Sequence, residues 1–259
     1  MTSFKKDSYK APAVVKAFDL LKAVADSKTP LGISALAKRL DFSKSTTHGL
    51  VRALVDVGAL DQETPPGKKV FLGPTTVELA FKNKNYLWIS ELAQPVLDRL
   101  CSRINESVFL GVIGQTGAII MATSEPAKPL KISAPPGSVL PLMAGAIGKL
   151  YLSRQSDEQA IKVIRKRGLR KYTSNSICDE TAYLAQLRSV RHQRYAVDTQ
   201  EYMEGVTAVA VSLDNNRGQA LAIWVVGFTN TMPESRFPEI VKHVLATREE
   251  LENVLEQNR

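Results

Sequence analysis

Cysteine and histidine are scarce in this sequence of 259 residues, which has two cysteines and three histidines. Cys101 and Cys178 stand far apart, and neither a Cys-x-x-Cys pair nor a Cys/His cluster occurs. A structural zinc site therefore has no ligand set, and we expect neither a metal nor a cofactor. Two isolated cysteines are simplest to understand as reduced thiols in a cytoplasmic protein.

Long apolar runs are absent as well. No stretch is long and apolar enough to cross a bilayer, so we expect no membrane partner. The N-terminus reads MTSFKKDSYK, and no unbroken apolar segment follows it. We therefore expect no signal peptide.

The sequence also lacks the short motifs that mark common enzyme sites. It has no G-x-S-x-G elbow and no phosphate-binding G-x-x-x-x-G-K-[ST] loop. The glycines Gly111, Gly114 and Gly117 do not have dinucleotide-binding spacing, and a hairpin explains them better. No catalytic residue can be assigned, although an enzyme acting on a small metabolite stays the principal competing class.

Positive charge is concentrated near the N-terminus. The chain carries a formal net charge of +8, and residues 1–60 hold ten Lys/Arg and five Asp/Glu, which gives +5. A basic N-terminal part suits a polyanionic partner such as DNA. A solubilising surface is the alternative, and charge alone does not separate the two.

The first 60 residues predict three short helices. The first runs from Pro12 to Ala25 and places on its apolar face Val14, Val15, Phe18, Leu21 and Val24. The second places on one face Ile33, Leu36, Ala37 and Leu40. After a tight turn at Asp41-Phe42, Ser43 can cap a third helix that runs to about Val57, where Gly58 ends it.

The third helix has two distinct faces. Its buried stripe is predicted to be Leu50, Leu54 and Val57, and its solvent face carries hydroxyls and cations: Ser43, Lys44, Ser45, Thr46, Thr47, His48 and Arg52. Two short apolar runs follow around a Pro/Gly loop and predict a hairpin with Lys68 and Lys69 at its tip. This order is typical of a winged helix-turn-helix, whose third helix enters the major groove. The alternative is a three-helix core that binds no DNA.

The remainder predicts an α+β domain with a mostly antiparallel sheet. A linker helix is expected over Thr75–Trp88, and further helices over Glu91–Ile104, Gly145–Leu152, Asp157–Lys166, Glu180–Arg194 and Pro238–Glu256. Strands are expected over Ser107–Ile113, Ala118–Ser124, Leu130–Ser133, Tyr195–Tyr202, Val206–Leu213 and Ala220–Gly227. The domains would then be residues 1–73, a linker at 74–89, and residues 90–259.

Four segments carry a resemblance to a known family. They are VVKAFDLLKAVADSKTPLGISALAKRLDFSKSTTHGLVRALVDVGALDQ, KVFLGPTTVELA, GSVLPLMAGAIGKLYL and YAVDTQEYMEGVTAVAVSLDNNRGQALAIWVVG. In this order, over nearly the whole chain, they resemble the isocitrate lyase regulator (IclR) family, most specifically at SKSTTHGLVRAL. Gly49 departs from the pattern, because the family often has a larger, basic residue there.

The resemblance implies a GAF-like effector-binding domain whose pocket is lined at the aligned positions Met143, Gly145, Ala146, Ile147, Asp198, Ala208, Trp224 and Val226. Apolar side chains at several of them favour an aromatic or cyclic carboxylate as effector, with helix N-terminal amides near Gly145 holding an anion. Each of these residues also has a structural interpretation. Trp224 would be part of the core, Met143 would fill a gap in the packing, and Asp198 would cap the end of a strand. Arg154, Lys162, Lys166 and Arg170 are expected to form a solvated face.

Together these features predict a small-molecule-responsive, sequence-specific transcriptional regulator. It would bind a near-palindromic double-stranded operator as a homodimer or homotetramer. The resemblance favours a repressor, while the residues leave repressor and activator open. A constitutive DNA-binding protein whose C-terminal domain only oligomerises is the second alternative.

Overall fold

A computed structural model of the chain describes residues 11–27, 29–63, 69–82, 84–114, 117–213 and 220–258. The fold comprises two compact units that divide between residues 84 and 85. Most of the predicted hairpin tip, including Lys68, lies outside the described residues. None of the helices within the described ranges is both long and apolar enough to cross a bilayer.

The first unit is a winged helix-turn-helix. Its helices are α1 (Pro12–Ala25), α2 (Ile33–Leu40), α3 (Lys44–Asp56) and α4 (Pro74–Lys82). Its strands are β1 (Leu31–Gly32), β2 (Leu60–Gln62) and β3 (Lys69–Leu72), which form an antiparallel sheet in the order β1-β3-β2. The predicted hairpin is therefore confirmed, and the sequence pattern missed β1, which pairs Leu31 with Val70.

The core of this unit differs from the predicted apolar faces. It is built on Leu20, Ala23 and Val24 of α1, Leu36 of α2, Val51 of α3, and Leu60 and Val70 of the sheet. Val14, Val15 and Phe18 are between 55% and 59% exposed, so this part of the apolar face of α1 lies outside the core. Val57 is exposed too, because α3 ends at Asp56 and Val57 belongs to its C-cap. Leu50 and Leu54 pack against the core while only partly buried.

The second unit is built on a six-stranded antiparallel sheet in the order β6-β5-β4-β9-β8-β7. The strands are β4 (Ser107–Gly114), β5 (Gly117–Ser124), β6 (Val139–Pro141), β7 (Ala196–Thr199), β8 (Val206–Leu213) and β9 (Ala220–Phe228). The helices are α5 (Lys84–Ile104), α6 (Gly145–Ser153), α7 (Asp157–Arg167), α8 (Glu180–Gln193) and α9 (Phe237–Gln257). The predicted α+β class with a mostly antiparallel sheet is confirmed.

Helices cover both faces of this sheet. One face packs its Val, Leu and Ile side chains against α5 and α9 in a single core. The opposite face packs against α6 and carries two aromatic rings, Phe109 and Trp224. Small residues at Ala210 and Ala222 accompany these rings on the α6 side. This second face is the one that contains the cavity described below.

Two predicted elements in this unit are wrong. The stretch Leu130–Ser133 is not a strand, and the third partner of the β4–β5 hairpin is instead β6, which pairs with residues 117–119. The predicted helix start at Glu91 is also wrong, since α5 begins at Lys84 and runs through that position. β7 is shorter than predicted because Gln200 adopts φ +60 and ends the strand in a turn.

Candidate functional site

The exposed face of α3 begins with a capped turn. The hydroxyl of Ser43 accepts a hydrogen bond from the Thr46 amide at 3.1 Å, as an N-cap does. Its hydroxyl also lies 2.8 Å from that of Thr46 and 3.0 Å from that of Ser45. The predicted cap is confirmed, and it gathers three hydroxyls at the positive end of the helix dipole.

Four predicted DNA-contacting side chains share the exposed face of α3: Lys44, Ser45, His48 and Arg52. Their spacing follows the helical repeat, so they form one continuous stripe. Gly49 lies within the stripe, and no atom comes within 4 Å of a β-carbon built on it. Lys69 is exposed on β3, the neighbouring hairpin strand. The stripe is open, cationic and rich in hydroxyls.

Thr47 does not belong to this stripe, although the sequence pattern placed it there. Its side chain is fully buried, and its hydroxyl donates to the carbonyl of Ser43 at 3.0 Å. The difference follows from helical geometry, because Thr47 and Val51 are four residues apart and share the inward face. Its predicted placement on the solvent face is therefore corrected.

The second unit encloses a cavity of about 260 Å³ on the α6 side of the sheet. Six of the eight predicted ligand-binding residues line it: Ala146, Ile147, Asp198, Ala208, Trp224 and Val226. The sheet explains how distant residues meet, because Asp198 pairs with Ala208 and Ala208 with Val226 across three adjacent strands. Residues paired in register point to the same face.

Aromatic rings form one wall of the cavity. Phe109 and Trp224 are paired across β4 and β9, and their ring centroids lie 5.9 Å apart at an interplanar angle of 24°. Trp224 is 3% exposed, so it belongs to the core and to the lining at once. The offset stack presents a flat apolar surface, a geometry that suits a ring-shaped ligand.

Sequence reasoning missed the rest of the lining. The missed residues come from the sheet, from the segment before α6 and from the turn after β7: Phe109, Ile120, Ile132, Ser133, Ala134, Ser138, Val139, Leu140, Ala144, Tyr202, Met203 and Val206. The pairing of strands decides which side chains of the sheet face the cavity, and one sequence alone does not reveal it.

Met143 and Gly145 do not line this cavity, contrary to the prediction. Both line a much smaller one of about 10 Å³, together with Tyr183 and Glu201. Met143 packs against the cluster that joins α6, α7 and α8. Gly145 is the first residue of α6, where Ala144 provides no side-chain cap for the helix amides.

Asp198 is the one carboxylate in the lining of the described cavity, which contains no lysine or arginine among the described residues. Burial, together with the neighbouring charge of Glu201, raises the pKa of this carboxyl to about 6. Hydrogen bonds from backbone amides and the charge of Lys149 partly oppose this effect. Near neutral pH the group therefore exchanges readily between its charged and neutral forms.

A second depression of about 310 Å³ lies between the C-terminal ends of α6 and α8 and carries Arg154, Arg191 and Arg194. Arg191 donates to the carbonyls of Ser153 and Gln155, at 2.9 Å each, and pairs with Asp157. It satisfies the carboxyl end of α6, so this cation has a structural explanation. The solvated face predicted at Arg154, Lys162, Lys166 and Arg170 is confirmed, since all four are exposed.

Among the residues in the described ranges, no group of three or more His, Cys, Asp or Glu side chains is placed to hold a metal ion. Cys101 is buried, with its pKa raised by that burial, and Cys178 is exposed.

Comparison with family models links both units to the same family. The model described as the IclR helix-turn-helix domain matches residues 13–64. The model described as the bacterial transcriptional regulator IclR C-terminal domain matches residues 84–253.

Named relatives are similar over almost their full length. The HTH-type transcriptional regulator BhcR of Paracoccus denitrificans is 26% identical over 95% of this chain and 88% of its own. The transcriptional repressor IclR of Escherichia coli is 26% identical over 92% of this chain and 88% of its own.

Solved structures share the fold. An IclR regulator from Alicyclobacillus acidocaldarius has a TM-score of 0.75 and 24% identity, covering 95% of this chain and 99% of its own. An IclR homolog from Microbacterium hydrocarbonoxydans, complexed with 4-hydroxybenzoate, has a TM-score of 0.75 and 19% identity, with the same coverage.

Proposed function

Because this chain belongs to the IclR family of transcriptional regulators, we propose that it binds a near-palindromic operator as a homodimer or homotetramer under the control of a small-molecule effector. Residues 1–73 would bind DNA, and residues 90–259 would bind the effector and oligomerise. Residues 74–89 would link these two domains. Relatives named as repressors favour repression. We place this activity in the cytoplasm.

The open stripe on α3 supports the DNA-binding half of this proposal. Lys44 and Arg52 can neutralise phosphates or reach guanine, and Ser45 and His48 can bond to base edges. The N-terminal turn of α3, with its cap at Ser43, offers backbone amides to a phosphate. Thr46 and the exposed Lys69 would add contacts to the DNA backbone, and the same role is proposed for Lys68, which lies outside the described residues.

The cavity supports the effector-binding half. Its volume of about 260 Å³ lies at the small end of ligand pockets and suits a compact molecule. The Phe109–Trp224 stack favours a flat or cyclic apolar body, and a structural relative was solved with 4-hydroxybenzoate. We therefore propose an aromatic or cyclic carboxylate, whose anionic end would face the amides of Ala146 and Ile147 at the start of α6.

The carboxyl of Asp198 sets a condition on such a ligand. An ionised Asp198 would repel a carboxylate in this apolar cavity, whereas a protonated Asp198 would donate a hydrogen bond to it. Binding of an anionic effector should therefore be accompanied by uptake of a proton. A polar effector that donates a hydrogen bond would instead keep Asp198 charged.

Binding of the effector and binding of the operator would be coupled through α4 and α5. We propose that ligand binding alters α4 and α5 and so changes the spacing of two DNA-binding units on successive major-groove faces. A coupling free energy of about 1–3 kcal/mol is usual for such pairs of sites. A constitutive DNA-binding protein would show no coupling, and an enzyme would consume the ligand.

Selection from a random duplex library provides the first test. The full chain should enrich a near-palindromic site with half-sites separated by about one helical turn, or a multiple of it. A chain that enriches no duplex sequence would contradict the DNA-binding half.

Titration calorimetry provides the second test. The panel is benzoate, 4-hydroxybenzoate and cyclohexanecarboxylate against glyoxylate and pyruvate, and we expect the ring compounds to bind more tightly. Ala208→Leu places a larger side chain in the cavity, so it should abolish this binding while the protein stays folded. Preference for glyoxylate, or undiminished binding to the Ala208→Leu variant, would contradict the proposed site.

A further inference from the structure

We propose that Lys149 is a positioning residue, which holds the turn at residues 198–203 in place as a wall of the cavity. This turn, here called the wall segment, contributes three lining side chains: Asp198, Tyr202 and Met203. The inference rests on the proposed function in one respect, namely that the cavity is the effector site. The contacts that carry it are independent of any ligand.

Lys149 is almost completely enclosed, at 1% exposure, in the middle of α6. Its ammonium donates to the carbonyl of Val197 at 2.7 Å and to the carboxylate of Glu201. One acceptor comes directly before the wall segment, and the other lies within it, next to Tyr202. An enclosed ammonium needs partners to compensate for lost hydration, so this geometry ties the turn firmly to α6.

The wall segment is held from a second direction. The hydroxyl of Thr173 donates to the carbonyl of Gln200 at 2.6 Å, and that of Ser176 donates to the carbonyl of Glu201 at 2.7 Å. Within the segment, Asp198 accepts a hydrogen bond from the Glu201 amide at 2.6 Å. The turn therefore has fixed anchors on both sides.

Backbone strain indicates that the wall segment needs these anchors. Gln200 has φ +60, a left-handed conformation that a residue with a β-carbon adopts at an energetic cost. Such a conformation persists only where the surroundings enforce it. Of these hydrogen-bonding anchors, Lys149 is the one on α6, the helix whose residues Ala146 and Ile147 line the cavity.

Lys149 itself does not reach the lining of the cavity. It acts through Glu201, since α6 supplies part of the lining directly and holds the wall segment by an ion pair. Asp198 and Tyr183 are the other titratable groups beside this ion pair, and burial raises the pKa of both, with the charge of Glu201 acting in the same direction. Loss of the ammonium would leave the carboxylates of Glu201 and Asp198 close together, and their repulsion would push the turn outward.

Accessibility of Trp224 provides a test that needs neither ligand nor DNA. The chain has two tryptophans, so a Trp88→Phe background leaves the fluorescence of Trp224 alone. In the parent, Trp224 is 3% exposed, and acrylamide should quench it weakly. Variants that break the ion pair should increase the quenching of Trp224. The increase should be larger where the wall segment moves farther from its place.

Glu201→Gln and Glu201→Ala are a matched pair of variants at a position that reaches solvent. Glutamine keeps an oxygen for Lys149, so its quenching should stay close to the parent. Alanine removes that oxygen, and its Stern–Volmer constant should rise several-fold. The Stern–Volmer constant of Lys149→Met should rise at least as much. Equal quenching in the alanine and glutamine variants would overturn the proposal, even if Lys149→Met fails to fold.

Lys128→Met controls for simple loss of stability. Lys128 forms an ion pair with the buried carboxylate of Glu106, and neither residue lines the cavity. Its loss should lower the melting temperature and leave Trp224 quenching unchanged. If Lys128→Met lowered the melting temperature as much as Lys149→Met and also increased quenching, Lys149 would contribute only to stability. That result would overturn the proposal. An absence of effector binding in calorimetry would contradict the proposed function. It would leave the quenching test of Lys149 valid, because that test uses no ligand.

Discussion

The carboxylate of Asp198 lies directly against the α-carbon of Gly145, so that a β-carbon built there would come within 1.9 Å of Oδ2. Gly145 also has φ +49, in the left-handed region that side chains disfavour. Glycine satisfies both conditions at once. The contact fixes the end of β7 against the start of α6, beside the cavity.

Gly145→Ala should therefore be severely destabilising. It combines a backbone penalty of about 1–2 kcal/mol with an overlap that only a shift of Asp198 can relieve. Gly137→Ala is the control, because Gly137 also has a positive φ, of +89, and no atom lies within 4 Å of its added β-carbon. Thermal or urea unfolding should show a clearly larger loss for Gly145→Ala. Equal losses would mean that the Asp198 contact is unimportant.

Asp198→Asn should change how stability depends on pH. Burial raises the pKa of Asp198 to about 6 from the ordinary value of 3.8, so the folded state binds this proton more tightly than the unfolded state. The stabilisation is fully present below the unfolded pKa and is lost as pH rises through about 6. The variant should flatten this decline and be more stable than the parent near neutral pH, by about 1–3 kcal/mol.

Urea unfolding at several pH values measures this difference. The same variant should also remove the pH dependence of benzoate binding, which in the parent should strengthen as the solution is acidified. A parent stability that rises with pH across this window, or a variant with the parent's slope, would contradict the role given to Asp198.

Gly49→Ala should stabilise the first unit by about 1 kcal/mol, because glycine is costly inside a helix and the added methyl group meets no atom. Ala53→Gly, at another exposed position of α3, should destabilise by a similar amount. Circular dichroism during urea unfolding reports both. A destabilised Gly49→Ala would show that the face of α3 is not open.

Thr47→Val should leave operator affinity unchanged. The side chain of Thr47 is buried, so the substitution removes only its hydrogen bond to Ser43, at a cost of about 1 kcal/mol in stability. Ser45→Ala, on the exposed stripe, should weaken operator binding instead. Fluorescence anisotropy on the selected operator separates the two. A larger loss for Thr47→Val than for Ser45→Ala would restore Thr47 to the DNA-contacting face.

Local chemistry allowed much of the fold to be predicted from sequence. The N-cap at Ser43 and the left-handed Gly58 after α3 depend on neighbours a few residues away, and the pattern located both. Strands could also be predicted where apolar runs are long, as in β8 and β9. The quoted segments also identified the family, and the matches to both of its domain models confirm it.

What failed depends on distant partners. Spacing identified an apolar face on α1, but whether Phe18 is covered depends on which elements pack there. Leu130–Ser133 has a strand-like composition, yet hydrogen bonding to β5 is supplied by Val139–Pro141. Alignment found six cavity residues, while Tyr202 and Met203 were missed because a turn anchored by Lys149 brings them there.

The most direct test of the account is the salt dependence of operator binding by a His48→Ala/Arg52→Ala variant. Lys22→Ala is the control, since Lys22 is also exposed but lies on α1. We predict that the double variant loses affinity by about 1–3 kcal/mol or more and reduces the salt slope by about 1, while the control matches the parent. An unchanged affinity and slope in the double variant would contradict the claim that the exposed face of α3 reads DNA.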